Sequence, residues 1–226
     1  MAGSTGSDMA RRVYEPGAAA PRSDAGHRAE PVRPRPRAPC HARAIETSAG
    51  SHGDHDRALI AILAAAHAGE LAAAYAYRGH WRSRWGPARW DDRREIQRIE
   101  AAEWHHRRQV HDLLDELGSG PVRWRELLMG AIGRFFGALC FVGGWFGPMY
   151  AAGRLEAMNV GQYVDAAGHA RASGRHEMAA VIDEMVAEEA RHEAWFGDQV
   201  RGHPLLPLVA AVGGWRPASP SLAPDG

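Results

Sequence analysis

A chain of 226 residues is long enough for one domain with tails, and 27 basic against 27 acidic residues leave no net charge to draw it to nucleic acid. Every basic residue other than histidine is arginine, which excludes a Walker A lysine, a Schiff-base lysine and a serine–lysine dyad. Cys40 and Cys140 stand far apart, one in a tail-like stretch and one in an apolar run, so they form neither a disulfide framework nor a thiolate metal site, and a reducing compartment follows.

Residues 1–52 are rich in Ala, Arg, Pro, Gly and Ser, with no apolar period, and are expected to be a disordered, inert leader. They contain no apolar run of the secretory kind, and Asp8, Glu15, Asp24, Glu30 and Glu46 argue against a transit peptide. The bundle domain is expected over 53–203. Its first helix should span 54–82, with Leu59, Leu63, Ala66, Glu70, Ala73 and Tyr77 on one side. Gly86-Pro87 breaks the chain, and Asp91 or Asp92 caps a second helix over 92–117. There Ile96, Ile99, Glu103, His106, Val110 and Leu114 share a face, and Gly118 and Gly120-Pro121 stop it.

The run 127–152 is mostly apolar, and its last 18 residues, from Phe135, carry no charge. That is marginal for a membrane span. The four glycines of that uncharged stretch and its place between ligand-bearing helices favour a buried or interfacial helical segment, with Phe135, Phe136, Phe141, Trp145 and Phe146 suited to a greasy pocket or a lipid-facing surface. A third bundle helix is expected from Pro148 to Ala172, and a fourth over 175–201 with Met178, Ile182, Met185, Glu189, His192 and Phe196 in register. Residues 204–226 form a tail, apolar over 205–215 and disordered beyond, whose apolar part covers the core or touches lipid.

The chemistry lies in a repeat. Glu103-x-x-His106 and Glu189-x-x-His192 are the only two matches to Glu-x-x-His, and each follows a lone Glu by 33 residues, Glu70 in one case and Glu156 in the other. The two halves are offset by 86 residues. A three-residue step on a helix stacks both side chains on one face, one turn apart. Carboxylates on apolar stripes are costly unless paired or metal-bound. Four long helices carrying Glu, Glu-x-x-His, Glu and Glu-x-x-His can bring all six side chains together, as in di-iron and di-manganese carboxylate bundles. Four carboxylates match the charge of two divalent ions, and carboxylate with imidazole suits iron or manganese better than thiolate-seeking metals.

At these residues the chain resembles the demethoxyubiquinone hydroxylase family, a branch of the ferritin-like di-iron proteins. His67-Ala68-Gly69-Glu70 matches that family's H-A-G-E, Tyr163 follows Glu156 by seven residues as in the family, and the likeness covers about 55–202. It implies an all-α, ferritin-like antiparallel four-helix bundle with a central di-metal site. Glu70, Glu103, His106, Glu156, Glu189 and His192 would bind the two irons, Tyr163 would join them in catalysis, and His67 would be a supporting neighbour. The implied activity is O2-dependent hydroxylation of the ring of a polyprenyl quinol precursor in ubiquinone biosynthesis, with NADH as the outside reductant, since no dinucleotide fingerprint is present. The implied place is peripheral, on the cytoplasmic side of the cell membrane, as a homo-oligomer or with other quinone-biosynthesis proteins. The family has a His before that Tyr, where this chain has Gln162. Two alternatives share the ligand set: an iron-binding or iron-oxidising ferritin-like protein, and a di-iron hydroxylase of another substrate.

Overall fold

A computed structural model describes residues 42–83, 85 and 90–218, with the side chains of 42–51 and 90 left aside. The described chain is all-helical. Six helices follow in order: α1 (Ala42–Arg82), α2 (Trp90–Glu116), α3 (Arg123–Val142), α4 (Phe146–Ala172), α5 (His176–Val200) and α6 (Leu206–Gly213).

Four of them, α1, α2, α4 and α5, form the bundle expected from sequence. α1 lies against α2 and α4, and α4 against α5. Contacts fix the directions. On α1 and α2, His67 meets Arg107 and Arg78 meets Glu100, so the two helices run antiparallel. Tyr77 with Glu156 and Tyr163 with Glu70 make α4 antiparallel to α1 as well. The core lies in two parts. Leu59, Leu63, Leu114, Tyr163, Ile182 and Met185 fill one end. Tyr77, Ile96, Ile99, Met149 and Phe196 fill the other. All are apolar stripe positions removed from water, the dominant favourable contribution to such a fold.

Several boundaries differ from expectation. α1 begins at Ala42, inside the expected leader, because Pro39 is the last proline before the bundle and the residues after it include the helix formers Ala and Arg. Residues 1–41 of that leader, with Cys40, lie outside the described residues, as do the Gly86-Pro87 breaker and residues 219–226 of the tail. Asp91 and Asp92 sit within the first turn of α2, where their charge suits the helix dipole. Pro148 is two residues inside α4, where its missing N–H would have had no helical partner.

The apolar run 127–152 is two helices, broken at Gly143 and at Gly144, whose φ of 76° is left-handed. Among the described residues, the one helix long and apolar enough to cross a membrane is α1, and more than half of that window is buried in the bundle. α3 is the connection between the two halves, and it runs parallel to α1. Glu126 meets His67, Gly130 faces Leu71 and Arg134 reaches Tyr75, a constant offset along both chains. Glycines make the approach close. A Cβ on Gly79 would fall 1.9 Å from the Gly137 carbonyl oxygen, and one on Gly133 would fall 2.6 Å from the Ala72 Cα. The opposite face of α3 leaves Trp124, Leu127, Leu128, Phe135, Phe136 and Leu139 exposed. α6 folds back so that Trp215 is buried and its indole N–H donates to Glu193 at 2.9 Å. The apolar tail therefore covers the core.

Candidate metal centre

All six residues of the repeat come together inside the bundle. Glu70 on α1, Glu103 and His106 on α2, Glu156 on α4, and Glu189 and His192 on α5 are each buried. They form two overlapping sets. The donor atoms of Glu70, Glu103, His106 and Glu189 lie within 4.8 Å of one another, and so do those of Glu103, Glu156, Glu189 and His192. Glu103 and Glu189 belong to both. The 86-residue offset exchanges one set for the other.

The bundle explains the convergence. Each Glu-x-x-His step aligns its two side chains on the inner face of α2 or α5, and each lone Glu stands opposite on α1 or α4. Between α2 and α5 the backbones make few close approaches, and that seam is spanned by these side chains. His106 Nδ1 lies 2.9 Å from Glu189 Oε1, and His192 Nδ1 lies 3.7 Å from Glu103 Oε1.

Hydrogen bonding is the test of fit. Glu70 Oε2, Glu156 Oε2, both oxygens of Glu103, both oxygens of Glu189, and Nδ1 of His106 and His192 are buried without a hydrogen-bond partner. Such atoms are rare in folded chains, because each one stranded costs about 1–3 kcal/mol. Here eight share one place. The lone carboxylates each offer one free oxygen and the shared carboxylates two. This cluster can hold a metal ion.

The chain matches no family model, no curated protein and no solved structure.

The charges tell the same story. Burial, followed by the neighbouring carboxylates, holds Glu103 and Glu156 well above the usual carboxylate range, and burial likewise raises Glu70. Burial pushes Glu189 the same way, but Glu156 and His106 beside it hold it below that range. Burial opposes a charge on His106, yet Glu189, Glu70 and Glu188 together outweigh it and raise the imidazole to about 9. His192 is lowered by burial. Burial and mutual repulsion keep these carboxylates from ionising together, and a cation among them would relieve that penalty.

Two tyrosines complete the arrangement. The Tyr163 hydroxyl donates to Glu70 Oε1, and the Tyr77 hydroxyl donates to Glu156 Oε1. Each lone carboxylate thus has one oxygen held and one free. Burial raises both phenols well above their ordinary range, so both remain donors. The expected role covered Tyr163 alone. Tyr77 follows Glu70 by seven residues, as Tyr163 follows Glu156, so the repeat that locates the ligands also locates Tyr77.

Other neighbours come from further apart. Glu188 Oε2 lies 3.1 Å from His106 Nε2, the carboxylate–imidazole support that orients many metal-ligating histidines. The residue equivalent to Glu188 in the first half is Ala102, so the repeat does not duplicate this support for His192. His67 does not face the cluster. Its Nδ1 lies 2.8 Å from Glu126 Oε1, and Arg107 binds the other Glu126 oxygen at 2.6 Å, tying α1, α2 and α3 together. Gln162 donates at 3.3 Å to the Ile62 carbonyl on α1, where it tethers α4 to α1.

Proposed function

We propose that the chain is a ferritin-like di-iron monooxygenase that hydroxylates the ring of a demethoxyubiquinol-like polyprenyl quinol. The observation that carries this reading is the set of eight buried donor atoms without a hydrogen bond, in two groups that share Glu103 and Glu189. Glu70 and His106 would hold one iron and Glu156 and His192 the other, with Glu103 and Glu189 available to both. Manganese suits the same oxygen and imidazole donors. When bound, the iron pair supplies reductive activation of O2.

The chain's own residues perform the rest. Tyr77 and Tyr163 each fix the outer oxygen of a lone carboxylate and so hold its inner oxygen in place. Glu188 orients the His106 ring. Leu59, Leu63, Ile182 and Met185 close one side to water, and Ile99 and Phe196 close the other. Water exclusion protects a reactive oxygen species from side reactions.

An apolar substrate is supported by the exposed face of α3, where Phe135, Phe136 and Leu139 meet solvent. On this reading that face rests on the cytoplasmic surface of the cell membrane, from which a lipid-tailed quinol is drawn, and electrons come from an outside donor such as NADH. A protein that only stored or oxidised iron has no use for such a face.

The experiment is an anaerobic Fe(II) titration followed by a single turnover. The protein should bind two irons per chain. Reduced and exposed to O2 with a short-tailed demethoxyubiquinol, it should add one oxygen atom to the ring, the other leaving as water with two electrons and two protons. Iron binding without a hydroxylated product would remove the substrate assignment, and no iron binding would remove the centre.

A further inference from the structure

A cavity of about 450 Å³ lies between α1, α3 and α4. Its walls are mostly carbon: Ala72, Ala73 and Ala76 of α1 on one side, Met129, Ile132 and Phe136 of α3 on another. The size suits a ring-sized ligand. Phe136 and Met158, both half-exposed, stand where the cavity opens.

Two features of this cavity are unexplained by the folded chain itself. The first is His80. It lines the cavity, is 1% exposed, and its Nε2 has no hydrogen-bond partner. Burial, with Arg93 adding to it, lowers its pKa to about 4, so the ring is neutral at neutral pH. A neutral imidazole nitrogen is either a donor or an acceptor, and it pairs well with a hydroxyl, which is both. The second is Gly69. Glycine in mid-helix costs about 1 kcal/mol against alanine. Close contact does not require it, since a Cβ at Gly69 would meet nothing within 4 Å. Gly69 lines the same cavity, and what its absent side chain leaves is room.

We infer that this cavity binds a neutral aromatic ring bearing a hydroxyl, with His80 Nε2 as the hydroxyl's partner and Gly69 leaving space for the ring. The small residues of α1 make a flat wall for such a ring, and Phe136 and Met129 offer it a facing surface. Tyr77 also lines the cavity and holds Glu156, whereas neither Tyr163 nor Glu70 lines it. The ring therefore reaches the centre from the Glu156–His192 side, which makes the two metal positions inequivalent. That the ligand is a substrate rests on the oxygenase reading; that it binds does not.

The test measures binding of 4-ethylphenol and ethylbenzene to the full chain by calorimetry, with and without iron. In a purely apolar cavity ethylbenzene binds better, because it is the less water-loving of the two. With His80 as partner, 4-ethylphenol should bind about tenfold tighter than ethylbenzene. His80→Phe should reverse that order, and His80→Gln, which keeps a hydrogen-bonding group, should preserve it. Gly69→Leu, placed in open space, should abolish binding of both probes while the far-ultraviolet circular dichroism is retained. The inference is overturned if neither probe binds, if ethylbenzene matches the phenol in the unaltered chain, if the preference survives His80→Phe, or if Gly69→Leu binds normally. Phenol binding in a chain that takes up no iron would leave this site standing and remove the oxygenase reading.

Discussion

Tyr77 on α1 donates its hydroxyl hydrogen to Glu156 on α4, across the interface that joins the two halves of the bundle. Its counterpart under the 86-residue offset, Tyr163 on α4, does the same for Glu70 on α1. Each half thus orients the lone carboxylate of the other. Hydrogen bonds to charged groups contribute about 1.5–3 kcal/mol. Tyr77→Phe should weaken one of two iron-binding steps by about tenfold or more while sparing the other, and Tyr163→Phe should do so at the opposite position. A two-step anaerobic Fe(II) titration reads both, and equal weakening of both steps by either variant would count against separate positions.

Glu103 and Glu189 belong to both donor sets, whereas Glu70 and Glu156 belong to one each. Glu189→Ala should therefore abolish both irons, and Glu156→Gln should leave one per chain. In the metal-free protein the sign reverses. Burial first, and then Glu189 beside it, suppress the ionisation that Glu156 has in the unfolded chain, so the neutral isostere removes that cost, and each kcal/mol gained raises Tm by about 2–4 °C. Metal analysis and thermal unfolding of the metal-free chains check the pair of outcomes.

α1 and α3 approach through glycine, and the contact is backbone to backbone. A methyl at Gly79 would fall 1.9 Å from the Gly137 carbonyl oxygen, and no side-chain rotation relieves that. Gly79→Ala should lose about 2 kcal/mol despite its better helix propensity. The urea midpoint should fall, and an unchanged midpoint would mean the seam is looser than described.

His80 carries a pH signature. Its folded pKa of about 4 lies below the ordinary value of 6.5, so the unfolded chain binds the proton more readily. The stability this gives is fully present above about pH 6.5 and is lost as pH falls through the window to about 4, amounting to roughly 3 kcal/mol. His67 and His192 are lowered by burial too, so they add slope of the same sign. His80→Gln should reduce the difference in unfolding free energy between pH 7 and pH 4 without removing it. Identical pH profiles for the two chains would show that His80 does not titrate there.

The six donors could be read from sequence because helices turn a three-residue step into one face, and because a repeated 33-residue spacing is unlike chance. Tyr77 was equally open to that logic, since it sits at the repeat position of Tyr163. Glu188 and Glu126 were not. Their roles depend on which turn of a distant helix passes opposite, and local pattern says nothing about that. The parallel course of α3 beside α1 was hidden for the same reason. Gly130, Gly133 and Gly137 mark a face made for close contact, but not the helix it meets. The early start of α1 at Ala42 shows the reverse error, where arginine and glycine content masked a stretch free of proline.

Three seams of the bundle are closed by direct contact between helix backbones, but α2 and α5 are joined mainly through their glutamates and histidines. With metal bound, that seam would become a clasp fastened by the ions between its side chains. Metal loading should therefore govern how freely the two hairpins breathe: amide protons of α2 and α5 facing the clasp should exchange faster when it is empty, while those between α1 and α4 keep their protection. In a cell, metal supply would then set how long the protein survives proteases.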